Sequence, residues 1–373
     1  MAFRSAGLLL LTLCVLQLSA CASHEPLAPL ASAMQPDKPG NVSIIDRAEA
    51  WGGAVYAEAE GSVFGVALHG TDELGVWRVD SARTASRVAD GLATGYHPDG
   101  VAVWAPGYFA VAVEGDRRLQ LWSVAGSTVT KVSDLASPIA ARDILVADLD
   151  ADGAMDVVLA PYGGESLVLL WGRGGFEFDA PQELPGGRSP WHPKLYDLDG
   201  DGLPDLVWAE LDTGMVRWAR NRGGREFEVL DLRRVEGFTP RAVAVGDVNR
   251  NGLPDIVVAV EVGPSEVLLG REDGGFDVRN VPAPVLGYVS VAVFEDGTIA
   301  FGDEGQVVLA QLDSRGDWSY RRLEARSMPA PLLLADVDGD GFEDLIVMHS
   351  AGGGVKIHFG PVWDAAEPFV FND

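Results

Sequence analysis

The sequence predicts an all-β fold, a seven-bladed β-propeller with four-stranded blades. Three observations lead there. An acidic pattern, Asp-x-Asp-x-Asp-Gly-x-x-Asp, occurs four times, each copy set between short apolar runs. A short apolar strand recurs seven times at intervals of about 40 to 52 residues. Gly-Gly-aromatic segments follow three of those strands and open a further one. Four strands per repeat at this period is the pattern of a propeller blade.

The acidic copies are Asp148-Leu-Asp150-Ala-Asp152-Gly153-Ala-Met-Asp156, Asp197-Leu-Asp199-Gly-Asp201-Gly202-Leu-Pro-Asp205, Asp247-Val-Asn249-Arg-Asn251-Gly252-Leu-Pro-Asp255 and Asp336-Val-Asp338-Gly-Asp340-Gly341-Phe-Glu-Asp344. Carboxylates at this density repel one another, and a hard cation neutralises them. Calcium takes six to eight oxygens in flexible geometry, and alternate residues of a tight loop aim their oxygens at one centre. Glycine at the sixth position permits the sharp turn. An EF-hand would need a bidentate Glu at position twelve, where this chain has Leu159, Trp208, Val258 and Val347. The flanks are four- to five-residue Val/Ile/Leu/Ala runs such as Ile144–Ala147 and Val157–Ala160, which read as two strands of a hairpin. The expectation is about four structural calcium ions, each on a hairpin between the first and second strands of a blade. Blade five, with Asn249 and Asn251, should be the weakest site.

The third strands read Gly75–Val79, Leu119–Trp122, Val168–Trp171, Met215–Trp218, Val267–Gly270, Val307–Ala310 and Val355–Phe359. Blades one, two and six carry ordinary turns in place of the metal loop: Ala57–Gly61, Trp104–Gly107 and Phe294–Gly297. The recurring Trp77, Trp122, Trp171 and Trp218 are expected to fill the space between neighbouring blades. Two segments compete to close the ring as the outer strand of blade seven, Asn41–Asp46 and Glu367–Phe371, and either would remove an exposed sheet edge.

The acidic hairpins with their apolar flanks and Gly-Gly-Phe segments resemble the FG-GAP (VCBS) repeats of bacterial surface proteins and integrin α-subunit heads. The likeness spans roughly residues 41–365 and is strongest in blades three, four, five and seven. It implies a calcium-binding β-propeller and no single activity, since function resides in sites grafted on a fold.

Residues 1–20 read as a signal peptide: a short basic start, then an apolar run too short for an ordinary transmembrane helix. Leu18-Ser19-Ala20-Cys21 resembles the lipobox of bacterial lipoproteins, which implies that Cys21 is lipidated and becomes the mature N-terminus. Ala22, rather than Asp, then points to the outer membrane. Residues 21–40, with Pro26, Pro29, Pro36 and Pro39, read as a tether, and residues 41–373 as the propeller. The other cysteine, Cys14, lies in the removed segment, so no disulfide braces the body. A net charge of -27 argues against nucleic acid as a partner. The expected partners are the membrane, through the lipid, and a glycan or protein ligand; the oligomeric state stays open.

In a propeller the start of each first strand lies on the face opposite the first hairpin. Counting back from the metal loops places Arg142 and Asp143, then Trp191, His192 and Lys194, then Arg241 on that face; weaker alignment adds Tyr96, His97 and Tyr288. Arg142, Trp191, His192 and Arg241 are the candidate ligand-binding set, because aromatics stack on apolar faces and Arg grips anions. The competing reading pairs the arginines with Asp143, Glu210 or Glu261 and packs Trp191 between blades. No nucleophile elbow, His-Glu-x-x-His or phosphate loop occurs. Two functional readings remain: a non-catalytic binding or scaffold module of the cell envelope, and a lyase or hydrolase at the channel mouth. The second requires a convergent acid/base set with a shifted pKa.

Overall fold

The computed structural model describes residues 41–44, 49–235, 239–261, 263–284, 290–326 and 328–368. The expected signal peptide, tether, Cys21 and Tyr288 lie outside the described residues. Seven antiparallel sheets follow one another along the chain. The first strand, β1, is Asn41–Ser43. Blade one is β2 (Ala50–Glu58), β3 (Gly61–Leu68), β4 (Glu73–Asp80) and β5 (Ala85–Ala89). Blade two is β6 (Pro98–Ala105), β7 (Tyr108–Val113), β8 (Arg118–Ala125) and β9 (Thr128–Ala136). Blade three is β10 (Ala141–Ala147), β11 (Asp156–Pro161), β12 (Ser166–Leu170) and β13 (Gln182–Pro185). Blade four is β14 (Pro190–Tyr196), β15 (Asp205–Glu210), β16 (Met215–Asn221) and β17 (Phe227–Arg234). Blade five is β18 (Pro240–Gly246), β19 (Asp255–Val260), β20 (Pro264–Gly270) and β21 (Phe276–Pro284). Blade six is β22 (Ser290–Val293), β23 (Ile299–Asp303), β24 (Gln306–Leu312) and β25 (Trp318–Glu324). Blade seven has β26 (Pro329–Ala335), β27 (Asp344–His349) and β28 (Gly354–His358).

Both competing terminal segments find a place, but only one closes the ring. β1 pairs with β28, Asn41 opposite His358, and supplies the fourth strand of blade seven. The C-terminal segment instead adds a fifth strand, β29 (Glu367–Pro368), to the edge of blade six, opposite Arg321 and Arg322. Blade three departs from the expected pattern at its outer strand. Gly174-Gly175-Phe176 does not lead straight into β13; Phe178 makes an isolated bridge to Gly172, and pairing resumes only after Pro181, which has no N–H to donate. Phe176 itself packs edge-on against Trp104 of blade two, ring centroids 5.1 Å apart.

The core is divided among the blade interfaces. Each apolar cluster joins two successive blades, and the cluster between blades seven and one joins Ile346, Met348 and Phe359 to Phe64, Val66 and Trp77. The second strands run apolar on both faces (β15 and β19 are buried throughout) because each is covered on both sides by a neighbouring sheet. The four tryptophans are buried between blades as expected, yet on two different sides. Trp77 and Trp122 face the preceding blade, Trp171 and Trp218 the following one. Each buried side chain of this size contributes roughly 1.5–3 kcal/mol. Among the described residues no helix is long and apolar enough to cross a membrane.

Candidate functional site

All four acidic loops sit between the first and second strands of their blades and share one hydrogen-bond scheme. The first-position carboxylate (Asp148, Asp197, Asp247, Asp336) accepts the amides of the fifth and sixth residues at 2.7–3.1 Å. The fifth-position side chain (Asp152, Asp201, Asn251, Asp340) accepts the amide two residues on. The glycine between them has positive φ in every copy, 83° to 89°, which a side chain would strain.

The ninth-position Asp does a different job. Asp156, Asp205, Asp255 and Asp344 are at most 1% exposed. Oδ2 accepts the amide of the second loop residue (Leu149, Leu198, Val248, Val337). Oδ1 accepts the amide at the far end of the third strand (Gly172, Asn221, Gly270, Gly360), at 2.7 Å in all four. One carboxylate therefore staples the hairpin tip to the third strand. Burial pushes all four carboxyls up, Asp344 to about 6; neighbouring loop carboxylates add to this and the backbone amides oppose it. A divalent cation would reverse that direction by favouring the ionised form.

The donor set fits a hard cation. In Asp148/Asp150/Asp152, Asp197/Asp199/Asp205 and Asp336/Asp338/Asp344, three carboxylates bring oxygens within 4.8 Å of one another. The third-position carboxylates also meet arginines. Arg225, from the outer turn of blade four, places Nε 2.6 Å from Asp150 of blade three and stacks on Trp171. Arg83, from the same turn of blade one, does the same to Asp338 and Phe359 of blade seven. In blade four Arg220 pairs with Asp199 from within the blade. In blade five the third position is the neutral Asn249.

On the opposite face, a break in strand register recurs near the start of the first strand of six blades. The residues left unpaired are Trp51, Asp99, Arg142, His192 with Pro193, and Arg241; in blade seven the slip falls between Pro329 and Ala330. A bulge re-aims a side chain that regular alternation would send elsewhere. His192 sits at φ 44° and His97, just before β6, at φ 56°.

Four blades combine these bulges with the turns between their second and third strands. The guanidinium of Arg142 lies 4.4 Å from the Trp51 ring centroid, 4.7 Å from Tyr162 and 5.3 Å from Trp191. His69 Nδ1 is 2.7 Å from Asp99 Oδ1, and its ring lies 4.1 Å from that of His97, which stacks on Tyr96. His192 Nδ1 is 3.2 Å from Asp143 Oδ2. The Asp99 side chain is 1% exposed, and Arg142 Nε lies 3.8 Å from its Oδ2. Burial raises the Glu114 carboxyl to about 7, helped by its hydrogen bond and charge repulsion with Asp99. Burial, with His69 alongside, lowers His97. Against burial, the His192 hydrogen bond and the charges of His192 and Lys194 hold Asp143 below the usual carboxylate range.

Three of the four expected ligand residues thus converge: Arg142, Trp191 and His192. Arg241 takes the equivalent bulge in blade five, where Glu261 engages its Nε at 2.9 Å. Trp51, His69, Asp99, Glu114 and Tyr162 were not anticipated. Asp99 and Trp51 hold the bulge position that Arg142 holds in blade three; the weaker alignment of blade two stops two residues short, at His97, and blade one is not aligned. His69, Glu114 and Tyr162 follow the second strand, and nothing in the sequence marks those turns.

A family model for FG-GAP-like repeats matches residues 148–208 and 197–258, the loops and strands of blades three to five. No curated protein matches the chain. Among solved structures it is similar to a streptogramin B lyase, at 13% identity and TM-score 0.61, covering 85% of this chain and 96% of that one. It is similar to Sqt1 of Saccharomyces cerevisiae at 10% identity and TM-score 0.57, covering 88% and 99%. The WD40 β-propeller domain of Doa1 aligns at 12% identity and TM-score 0.58, covering 87% and 98%. At these identities the structures speak to the fold alone, and the repeat match joins the seven sheets in one conclusion: the chain is a seven-bladed β-propeller that carries FG-GAP-like repeats in blades three to five.

Proposed function

We propose that this propeller is a ligand-binding module of the bacterial cell envelope, held to the outer membrane by a lipid on Cys21, braced by about four calcium ions, and binding a glycan at the mouth formed by blades one to four. The observation that carries the reading is the convergence of re-aimed side chains from four blades, Trp51, Asp99, Arg142 and His192, on the face away from the acidic loops. The bulge recurs in six blades, but in blades one to four it carries side chains that meet at one mouth, whereas in blade five Arg241 is engaged by Glu261. The mouth combines aromatic rings with hydrogen-bonding groups, the mixture that polar ring-shaped ligands require. A propeller of FG-GAP-like repeats supports a binding or scaffold role generally.

A glycan array probed with the calcium-loaded protein tests the reading. With a hit in hand, Trp191→Ala should weaken binding tenfold or more while the melting temperature stays nearly constant. Equal loss of stability and affinity would make Trp191 a packing residue. The anchor is tested separately: Cys21→Ser should release the protein from membranes or leave it unprocessed, and an unmodified Cys21 in the native protein would refute it.

One observation favours a second reading, catalysis. Two Asp–His pairs, Asp99–His69 and Asp143–His192, share the mouth with a carboxyl group raised to about 7. With Nδ1–H directed at a carboxylate, Nε2 of each imidazole is left to accept a proton. Turnover of a bound glycan that is lost in both His69→Ala and His192→Ala would establish this reading over simple binding.

A further inference from the structure

Resting on the glycan reading above, we propose that the ligand is an acidic saccharide whose carboxylate is gripped by Arg142. The geometry around this side chain is unusual in what it leaves unused. Three aromatic rings surround the guanidinium within 5.3 Å, which fixes its plane. The nearest ion-pair partner, Asp99, stands at 3.8 Å, beyond hydrogen-bond reach, and Glu114 feels the charge of the guanidinium without a hydrogen bond to it. Among the described residues Arg142 donates no hydrogen bond, although its side chain is only 17% exposed. A guanidinium held in a fixed plane with open donors is ready to receive an acceptor from outside the protein. The fork of an arginine matches a carboxylate in a bidentate fashion, and a stacked guanidinium reaches that geometry with little further loss of freedom.

The rest of the mouth narrows the class. Asp99, Asp143 and Glu114 stand close by, so a dianion such as a phosphate monoester meets repulsion that a single carboxylate largely avoids. Tyr162, in contact with the guanidinium, and Tyr96, stacked on His97, are about half exposed, 50% and 48%. A half-exposed tyrosine beside a recessed cation suits a flat sugar ring carrying one acid group: the ring's C–H face on the exposed part of the tyrosine, the carboxylate inward.

The experiment uses full-length protein in detergent with calcium, titrated calorimetrically with a glucuronate-containing disaccharide, the matched neutral glucose disaccharide and a glutamate-rich peptide. The acidic sugar should bind at least tenfold more tightly than the neutral one. Arg142→Lys keeps the charge and the alkyl stem but loses the fork, and should remove most of that preference with the fold intact by melting temperature. Arg142→Met should abolish it. Equal binding of both sugars, or full acidic-sugar preference retained in Arg142→Lys, overturns the proposal and leaves the glycan reading standing. Binding of the peptide alone assigns the carboxylate to a protein ligand and overturns the saccharide. Failure of both sugars and the peptide at millimolar concentration ends this proposal, and the glycan array decides the glycan reading separately.

Discussion

Glu114 follows β7 and lies against the buried Asp99; burial and that neighbour raise its carboxyl to about 7, opposed by the charges of Arg142 and His69. Its folded pKa, about 7, stands above the unfolded value of 4.5, so the native state holds a proton that the unfolded chain gives up first. The stability associated with that proton is complete below about pH 4.5 and is lost as pH rises through 7. Thermal unfolding should therefore fall by a few degrees between pH 5 and pH 8, on the order of 1 kcal/mol or more. Glu114→Gln, which keeps the hydrogen bond and removes the titration, should flatten that slope; an unchanged slope would place the effect elsewhere. At the same scale the sequence was only partly readable. Arg142, Trp191 and His192 were found by counting along strands, whereas Glu114 and His69 were hidden, because their meaning comes from the neighbours that the ring brings to them.

The hairpin is the element on which stability turns. Its first, third and fifth positions line the loop, but the ninth is embedded, and the two classes should respond differently to substitution. Asp205→Ala deprives the amides of Leu198 and Asn221 of their acceptor, at a cost of about 2–5 kcal/mol for two buried donors, with or without calcium. Asp201→Ala, at an exposed position, should matter mainly in calcium. Calorimetry of both variants with calcium and with chelator separates the two roles. Chelation of the wild type should itself lower the melting temperature, and a calcium titration should find blade five the weakest loop, with amides at Asn249 and Asn251. Hairpins, third strands and interblade tryptophans were legible because each follows from a local period and a local turn. The bulges were not, since a slipped register depends on which strand lies opposite. The two-sided placement of the tryptophans was likewise hidden: one residue's difference in register reverses the face.

For the whole molecule, ring closure is the decisive event. The repeat fixed the blade count in advance, but two terminal segments carried equally suitable strand patterns. β1 takes the place beside β28, and β29 covers the edge of blade six instead. A chain that begins at Glu49 should accordingly unfold several degrees lower than one that begins at Pro39. Removal of the residues from Glu367 onward should have a smaller effect, because blade six keeps its four strands. A reversed order of these losses would show that the C-terminal strand is the one that holds the ring.

The pairing of Asn41 with His358 also dictates a timetable. β1 and its partner β28 stand roughly 300 positions apart, and until they meet β28 is a bare sheet edge with unpaired amides. Contacts this distant in sequence form slowly, and the waiting intermediate is the species most prone to pair with another chain. Six blades can assemble as they emerge, each on the one before, while the seventh stays unfinished until β1 swings round to meet β28. Whatever keeps β1 occupied also keeps the ring open.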